Sequence, residues 1–220
     1  MNAPKPPRRA PVQRRARATV ASILDAAATV FVAHGYAGGT TNRIASEAGV
    51  SVGSLYEYFP NKDSILAALL ERRLADGARD MELALADLDG TAPAADVALG
   101  RLIDAVFARF RGAPELDRVL FEEVPHPPDA GAALAAGDAA LAERIRALIL
   151  RLPGVVADPS GPAALLTART LQASVRAFVF HGFPGLDEDG FKRELTRLLG
   201  GYLGLRTRAP QLGIGGAAAW

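Results

Sequence analysis

Apolar residues recur along this chain at intervals of three and four. No stretch shows the strict alternation or regular turn spacing of a sheet. The stripe Val20, Ile23, Leu24, Ala27, Val30 and Phe31 predicts a helix from about Ala16–Thr19 to His34, stopped by Gly35. A second long helix, opened by Asn61 or Asp63, carries Ile65, Leu66, Leu69, Leu70 and Leu74 and runs to about Leu88. Beyond Gly90 the spacing predicts helices over Ala94–Arg111, Pro114–Val124, Asp138–Leu152, Pro162–His181 and Asp187–Leu203. Pro114 suits a first helical turn, where its missing N–H is no loss. The expected fold class is all-α.

Between the first two long helices lies TTNRIASEAGVSVGSLYEYF, residues 40–59. Ile44, Ala45 and Ala48 would line the inner face of one short helix. Gly49 ends it by supplying a left-handed residue without a Cβ clash. Val50 plugs the turn, and Ser51 can cap the next helix by accepting a bond from a free backbone N–H. Leu55 then faces inward, while Val52, Gly53, Tyr56 and Tyr58 stay outside. This is a helix-turn-helix pattern, in which the second helix enters the DNA major groove.

The same stretch also contains G-x-S-x-G, residues 49–53, the form of a hydrolase nucleophile elbow. An elbow needs a buried strand before its serine. Residues 42–48 are helical in period and lack a β-branched run, and a downstream histidine could come only from His126 or His181. The sequence reading is therefore of a protein that is not an enzyme.

Composition narrows the classes further. Half of the 220 residues are apolar, enough for a sizeable core, and there is no cysteine, which excludes disulfides and thiolate metal sites. His34, His126 and His181 are dispersed and suggest no metal centre, and no cofactor fingerprint occurs. No secretory h-region or uncharged apolar run of spanning length is present, so a cytoplasmic protein without a membrane partner is expected. The net charge of +1 hides an asymmetry. Residues 1–62 hold eight Lys/Arg against three acids, net +5, and the rest holds 17 against 21, net −4. A basic head on an acidic body fits a polyanion partner for the head. Residues 1–15, rich in Pro and Arg, are expected to be a disordered basic tail, and residues 206–220 a loose one. The arginines of the first tail either reach a minor groove or only solubilise.

Two stripes near the C-terminus carry another message. Ala164, Ala168, Leu171, Val175 and Phe178 form one, and Phe191, Leu195, Leu198, Leu199 and Tyr202 the other, with small Ala173 and Ala177 on a neighbouring face. Such helices either pair with their copies into a four-helix interface or simply pack within one chain.

Two segments, ILDAAATVFVAHGY and TTNRIASEAGVSVGSLYEYFPNKDSILAALL, resemble the TetR family of bacterial repressors over Ile23–Leu70. The resemblance implies a DNA-binding domain over 16–76, with its helix-turn-helix at 40–59. It also implies a larger helical effector-binding and dimerisation domain over 77–205. A homodimer, formed through Pro162–His181 and Asp187–Leu203, would bind a palindromic double-stranded operator and be released by a small molecule. The alternative is a DNA-binding regulator without an effector.

Carried over residue by residue, the resemblance places Val52, Gly53 and Tyr56 against base edges. Thr41, Ser54, Tyr58 and Lys62 fall at phosphate positions, beside Ser51 at the turn. Val52 and Gly53 offer no bidentate hydrogen bond, so specificity should rest on Asn42, Arg43, Tyr56 and DNA shape. Thr41 and Ser54 read equally well as helix caps, and Tyr56 has an alternative reading as a core ring. For a largely apolar effector the candidates are Met81, Phe107, Phe110, Leu120, Phe121 and Phe178, with Arg111, His126 or Arg176 as polar anchors. The competing reading is that these residues are core.

Overall fold

The computed structural model describes residues 9–86, 94–124, 128–151 and 162–205. His126, residues 1–8, most of the expected break at 153–162 and the tail 206–220 lie outside the described residues. The elements are α1 (Arg9–Gly38), α2 (Thr41–Glu47), α3 (Val52–Tyr58), α4 (Lys62–Leu85), α5 (Ala95–Arg111), α6 (Pro114–Arg118), α7 (Pro128–Ile149), α8 (Ala163–His181) and α9 (Glu188–Tyr202). A π-helical turn, Val119–Glu123, continues α6. The described residues contain no strand, only an isolated bridge between Phe183 and Leu186. The fold class is all-α.

Two boundaries differ from the periodicity. α1 is already helical at Arg9, inside the stretch expected to be disordered. The Ala, Gln and Arg residues between Pro11 and Thr19 are good helix formers, and a proline in the first turn removes no intrahelical bond. α7 starts at Pro128, ten residues before the expected Asp138. Pro128 presets φ for a first turn, and alanine-rich AALAAGDAALAE extends the helix without needing a strong apolar stripe.

Residues 9–81 and 107–140 form one compact unit, and residues 82–106 and 141–205 another. In the first, α1 buries the expected stripe of Ile23, Leu24, Ala27, Val30 and Phe31. These pack with Ile44 and Ala45 of α2, Leu55 of α3, and Ile65, Leu66, Leu69 and Leu70 of α4. Val119, Leu120 and Val124 join the same cluster. By length and composition alone, Gln13–Gly38 would suffice to cross a membrane. Its apolar stripe is spent on this core, and Asp25 on its outer face pairs with Arg72 at 2.7 Å.

In the second unit α8 buries Ala164, Thr167, Ala168, Leu171 and Val175, and α9 buries Phe191, Leu195 and Leu199. Phe178 stacks on Phe191 with ring centroids 4.4 Å apart. Most of both C-terminal stripes is therefore core within one chain. Leu198 and Tyr202 of the second stripe remain outside, 60% and 46% exposed, as does Leu166 of α8.

Candidate nucleic-acid interface

The α2–α3 unit is fixed by caps at both helix starts. Thr40, rather than Thr41, caps α2: its Oγ1 accepts from the Arg43 amide at 3.3 Å. Gly49, at φ 67°, makes the turn, and the Val50 amide donates back to the Ala45 carbonyl at 3.0 Å. Ser51 then caps α3, accepting from the Ser54 amide at 3.0 Å and bonding the Ser54 hydroxyl at 2.9 Å. Leu55 is fully buried beneath. This disposes of the hydrolase motif, because a helix precedes Ser51 and its hydroxyl is spent on the cap.

With Leu55 inside, α3 presents Val52, Gly53, Tyr56 and Tyr58 outward, and Tyr56 is 49% exposed. Tyr56 is thus no core ring. A Cβ at Gly53 would meet only Ser51 Oγ, at 3.8 Å, so the fold itself does not demand glycine there. What glycine does is leave the start of α3 bare. Thr41 Oγ1 and Tyr56 Oη lie 3.1 Å apart and tie the exposed faces of α2 and α3 together. Arg43 spends one guanidinium N–H on the Gly38 carbonyl at 3.1 Å, which aims the side chain while leaving the rest of the fork. Asn42 is exposed beside it.

Lys62 opens α4 and is only partly exposed. Its Nζ donates to the Tyr36 carbonyl at 2.7 Å and sits 4.0 Å from the centroid of the same residue's ring. Tyr36 in turn donates its hydroxyl to Asp63. Burial, followed by the bond to and charge of Asp63, raises the Tyr36 hydroxyl above its ordinary range. This clasp joins the end of α1 to the start of α4.

The effector candidates separate. Met81, Phe107, Phe110 and Leu120 are buried in the first unit, each at most 4% exposed. Phe110 meets Phe121 edge-on at 5.8 Å, and Arg111 lies over the Phe107 ring at 5.6 Å. Arg176 and Phe178 belong to the second unit, where Phe178 joins Phe183 and Phe191 in a stack.

Sequence reasoning missed a buried charge pair among these residues. Arg73 of α4 holds both carboxylate oxygens of Asp117 at 2.8 Å and donates to the Arg109 carbonyl at 2.6 Å. Asp117 is fully buried, and Arg109 lies over the Phe110 and Phe121 rings. Burial pushes the Asp117 carboxyl up, and the Arg73 bonds and charge only partly pull it back.

Two family models match the sequence. Residues 23–69 match "Bacterial regulatory proteins, tetR family", and residues 96–203 match "Tetracyclin repressor-like, C-terminal domain". Among curated relatives, an HTH-type transcriptional repressor of Streptomyces coelicolor, SCO4008, is 36% identical over 110 residues. That alignment covers 50% of this chain and 52% of the relative. A fatty acid metabolism regulator of Bacillus subtilis is 38% identical over 60 residues, 27% of this chain and 31% of the relative. The chain thus spans about half or less of the curated relatives it matches. The fold is similar to that of the fatty acid degradation regulator FadR from Bacillus halodurans, with TM-score 0.65 and 22% identity over 86% of this chain and 97% of that one. It is also similar to FadR from Bacillus subtilis, solved with stearoyl-CoA, at TM-score 0.61 and 24% identity over 81% and 96% of the two chains. With both its helix-turn-helix and its C-terminal helices matched, the chain belongs to the tetR family of bacterial regulatory proteins, transcription regulators rather than enzymes.

Proposed function

We propose that the protein is a ligand-responsive transcriptional repressor that binds a palindromic operator as a homodimer. The observation that carries this reading is the start of α3: capped by Ser51, bare at Gly53 and flanked by exposed Val52 and Tyr56. Two such helices, related by a two-fold axis, would read half-sites about 34–36 Å apart. Asn42, Arg43 and Tyr56 carry the polar base readout, and Val52 offers only a methyl contact. Thr41, Ser54, Tyr58 and Lys62 hold phosphates. Lys62 retains two further N–H donors beside the one spent on Tyr36, and Ser51 sets the pitch of α3.

Leu166, Leu198 and Tyr202 support dimerisation through α8 and α9, since large apolar side chains left exposed on two neighbouring helices favour a self-complementary contact. The effector would be a largely apolar molecule held by residues of 77–205, and its binding would alter the spacing of the two heads. The Bacillus subtilis relative's stearoyl-CoA makes long-chain acyl-CoA a natural first probe. A second reading, a regulator without an effector, is favoured by the close burial of Phe107, Phe110 and Leu120, which act there as core.

Selection of bound duplexes from a random library, followed by footprinting, tests the first reading. A two-fold symmetric site is expected, released by an acyl-CoA or another apolar ligand that also raises the melting temperature. Symmetric binding that no ligand alters would support the second reading, and no enriched sequence would defeat both.

A further inference from the structure

The N-terminal end of α1 has chemistry that the helix-turn-helix does not use. Arg14, Arg15 and Arg17 lie on continuous helix and are exposed. None of the three forms an ion pair among the described residues. The first acid of the helix is Asp25, and it is held by Arg72. The preceding sequence adds Lys5, Arg8 and Arg9 without a single carboxylate. A purely solvated helix face commonly mixes both signs of charge and laces them into pairs. This one concentrates one sign and leaves it unneutralised.

The fold also fixes where part of this charge points. Ser22 of α1 donates its hydroxyl to the Ala48 carbonyl at 3.2 Å, at the turn that leads into α3. Arg15 precedes Ser22 by seven residues, two helical turns, and so lies on the same face of α1 about 10 Å further along its axis. Arg14 is the next position round the helix. Arg15 therefore continues the side of α1 that touches the α2–α3 turn, while Arg14 stands about 80° round the helix from Ser22 and Arg17 about 140°, so the charge surrounds this end of α1 and does not form a single stripe. Duplex DNA carries about one charge per 1.7 Å of axis, so an extension of this length passes several phosphates.

We propose that Arg14, Arg15 and Arg17 form a helical arm that binds the DNA backbone flanking the half-site. This rests on the reading of α2–α3 as the operator-binding element. The arm adds affinity and salt dependence without sequence preference, because guanidinium–phosphate bonds position a protein but do not read bases. Helical order at this end, in place of the expected tail, keeps the charges from being diluted over a flexible segment.

The test uses the full chain and a duplex obtained by selection, prepared once with about ten base pairs of flank on each side and once trimmed to the protected core. Arg14→Ala, Arg15→Ala and Arg17→Ala are combined; alanine preserves the helix. On the long duplex the triple variant should bind about tenfold or more weakly at moderate salt. Its slope of log K against log salt should be shallower by about 0.9 for each phosphate that is no longer neutralised. The triple lysine variant should keep most of the slope. On the trimmed duplex wild type and alanine variant should converge. If both bind the long duplex with equal affinity and slope while Tyr56→Ala weakens binding, the arm is a solvated face and the proposal falls alone. If wild type does not discriminate selected from scrambled DNA, the reading of α2–α3 falls with it.

Discussion

Two buried polar groups, one in each compact unit, are treated in opposite ways. In the first, Asp117 is sealed from solvent but receives two guanidinium bonds from Arg73, which also reaches the Arg109 carbonyl. In the second, Thr167 is 1% exposed and its hydroxyl has no hydrogen-bond partner among the described residues. A buried group that is fully engaged braces its surroundings, whereas an unengaged one only costs desolvation. The brace joins α4, which leads out of the helix-turn-helix, to α6 and the last turn of α5 in the same unit, while the Thr167 hydroxyl braces nothing.

The largest expected effect comes from breaking the brace. Asp117→Ala leaves the Arg73 guanidinium facing a carboxylate-sized void, and loss of one member of a buried pair costs about 3–5 kcal/mol. Urea denaturation of the two variants Asp117→Ala and Asp117→Asn should show the first far less stable than the second, which keeps an acceptor for Arg73. A loss under about 1 kcal/mol for alanine would mean that the pair does not brace α4 and would remove the contrast.

A surface substitution in the same unit should behave in the reverse manner. Tyr56 is half exposed and, among the described residues, bonded only to Thr41, so Tyr56→Ala should change stability by less than about 0.5 kcal/mol. Its affinity for a selected duplex should nevertheless fall by about 1–3 kcal/mol, measured by titration at fixed salt. Equal affinity would take Tyr56 out of the interface, and a large stability loss would make it a packing residue after all.

How far each of these residues is legible in the sequence follows from the range of the interactions. The α2–α3 unit is legible because its turn and cap are local: Gly49 and Ser51 act within one turn of their own positions, and Leu55, though it packs against distant residues, is the one aliphatic side chain between Gly53 and Tyr58. Thr40 does not stand out as the cap of α2, because Thr40 and Thr41 are both suitable and only backbone conformation separates them. Arg73 and Asp117 are harder, yet a trace is present. Arg73 continues the stripe of Leu66, Leu69 and Leu70, and Asp117 stands three and four residues before the buried or half-buried Leu120 and Phe121. Each occupies an apolar-face position, and opposite charges misplaced on two helices are the signature of a buried pair. The π-helical turn at Val119–Glu123 leaves no such trace, since its residues would suit an ordinary α-helix equally well. The long-range role of the C-terminal stripes is equally hidden: periodicity marks a face as apolar but not whether the same chain or a copy covers it. In the folded chain Leu171 and Val175 are core, while Leu198 and Tyr202 stay outside.

The smallest expected effect tests the other side of the contrast. Thr167→Val replaces the hydroxyl by a methyl of nearly equal size, so packing along α8 is kept while an unmatched polar atom is removed. Because the buried hydroxyl gains no bond in the fold but is hydrated when unfolded, the substitution should stabilise the protein, by about 1 kcal/mol. A loss of stability would show that Thr167 does have a partner and that the two groups are alike. If stability rises and an apolar ligand still shifts the melting temperature as before, the hydroxyl is a tolerated cost of α8. If stability rises but the ligand-induced shift disappears, the cost is retained for binding: an unmatched donor in an apolar unit is the kind of group a ligand would satisfy, and removing it should strengthen the empty protein at the expense of its response.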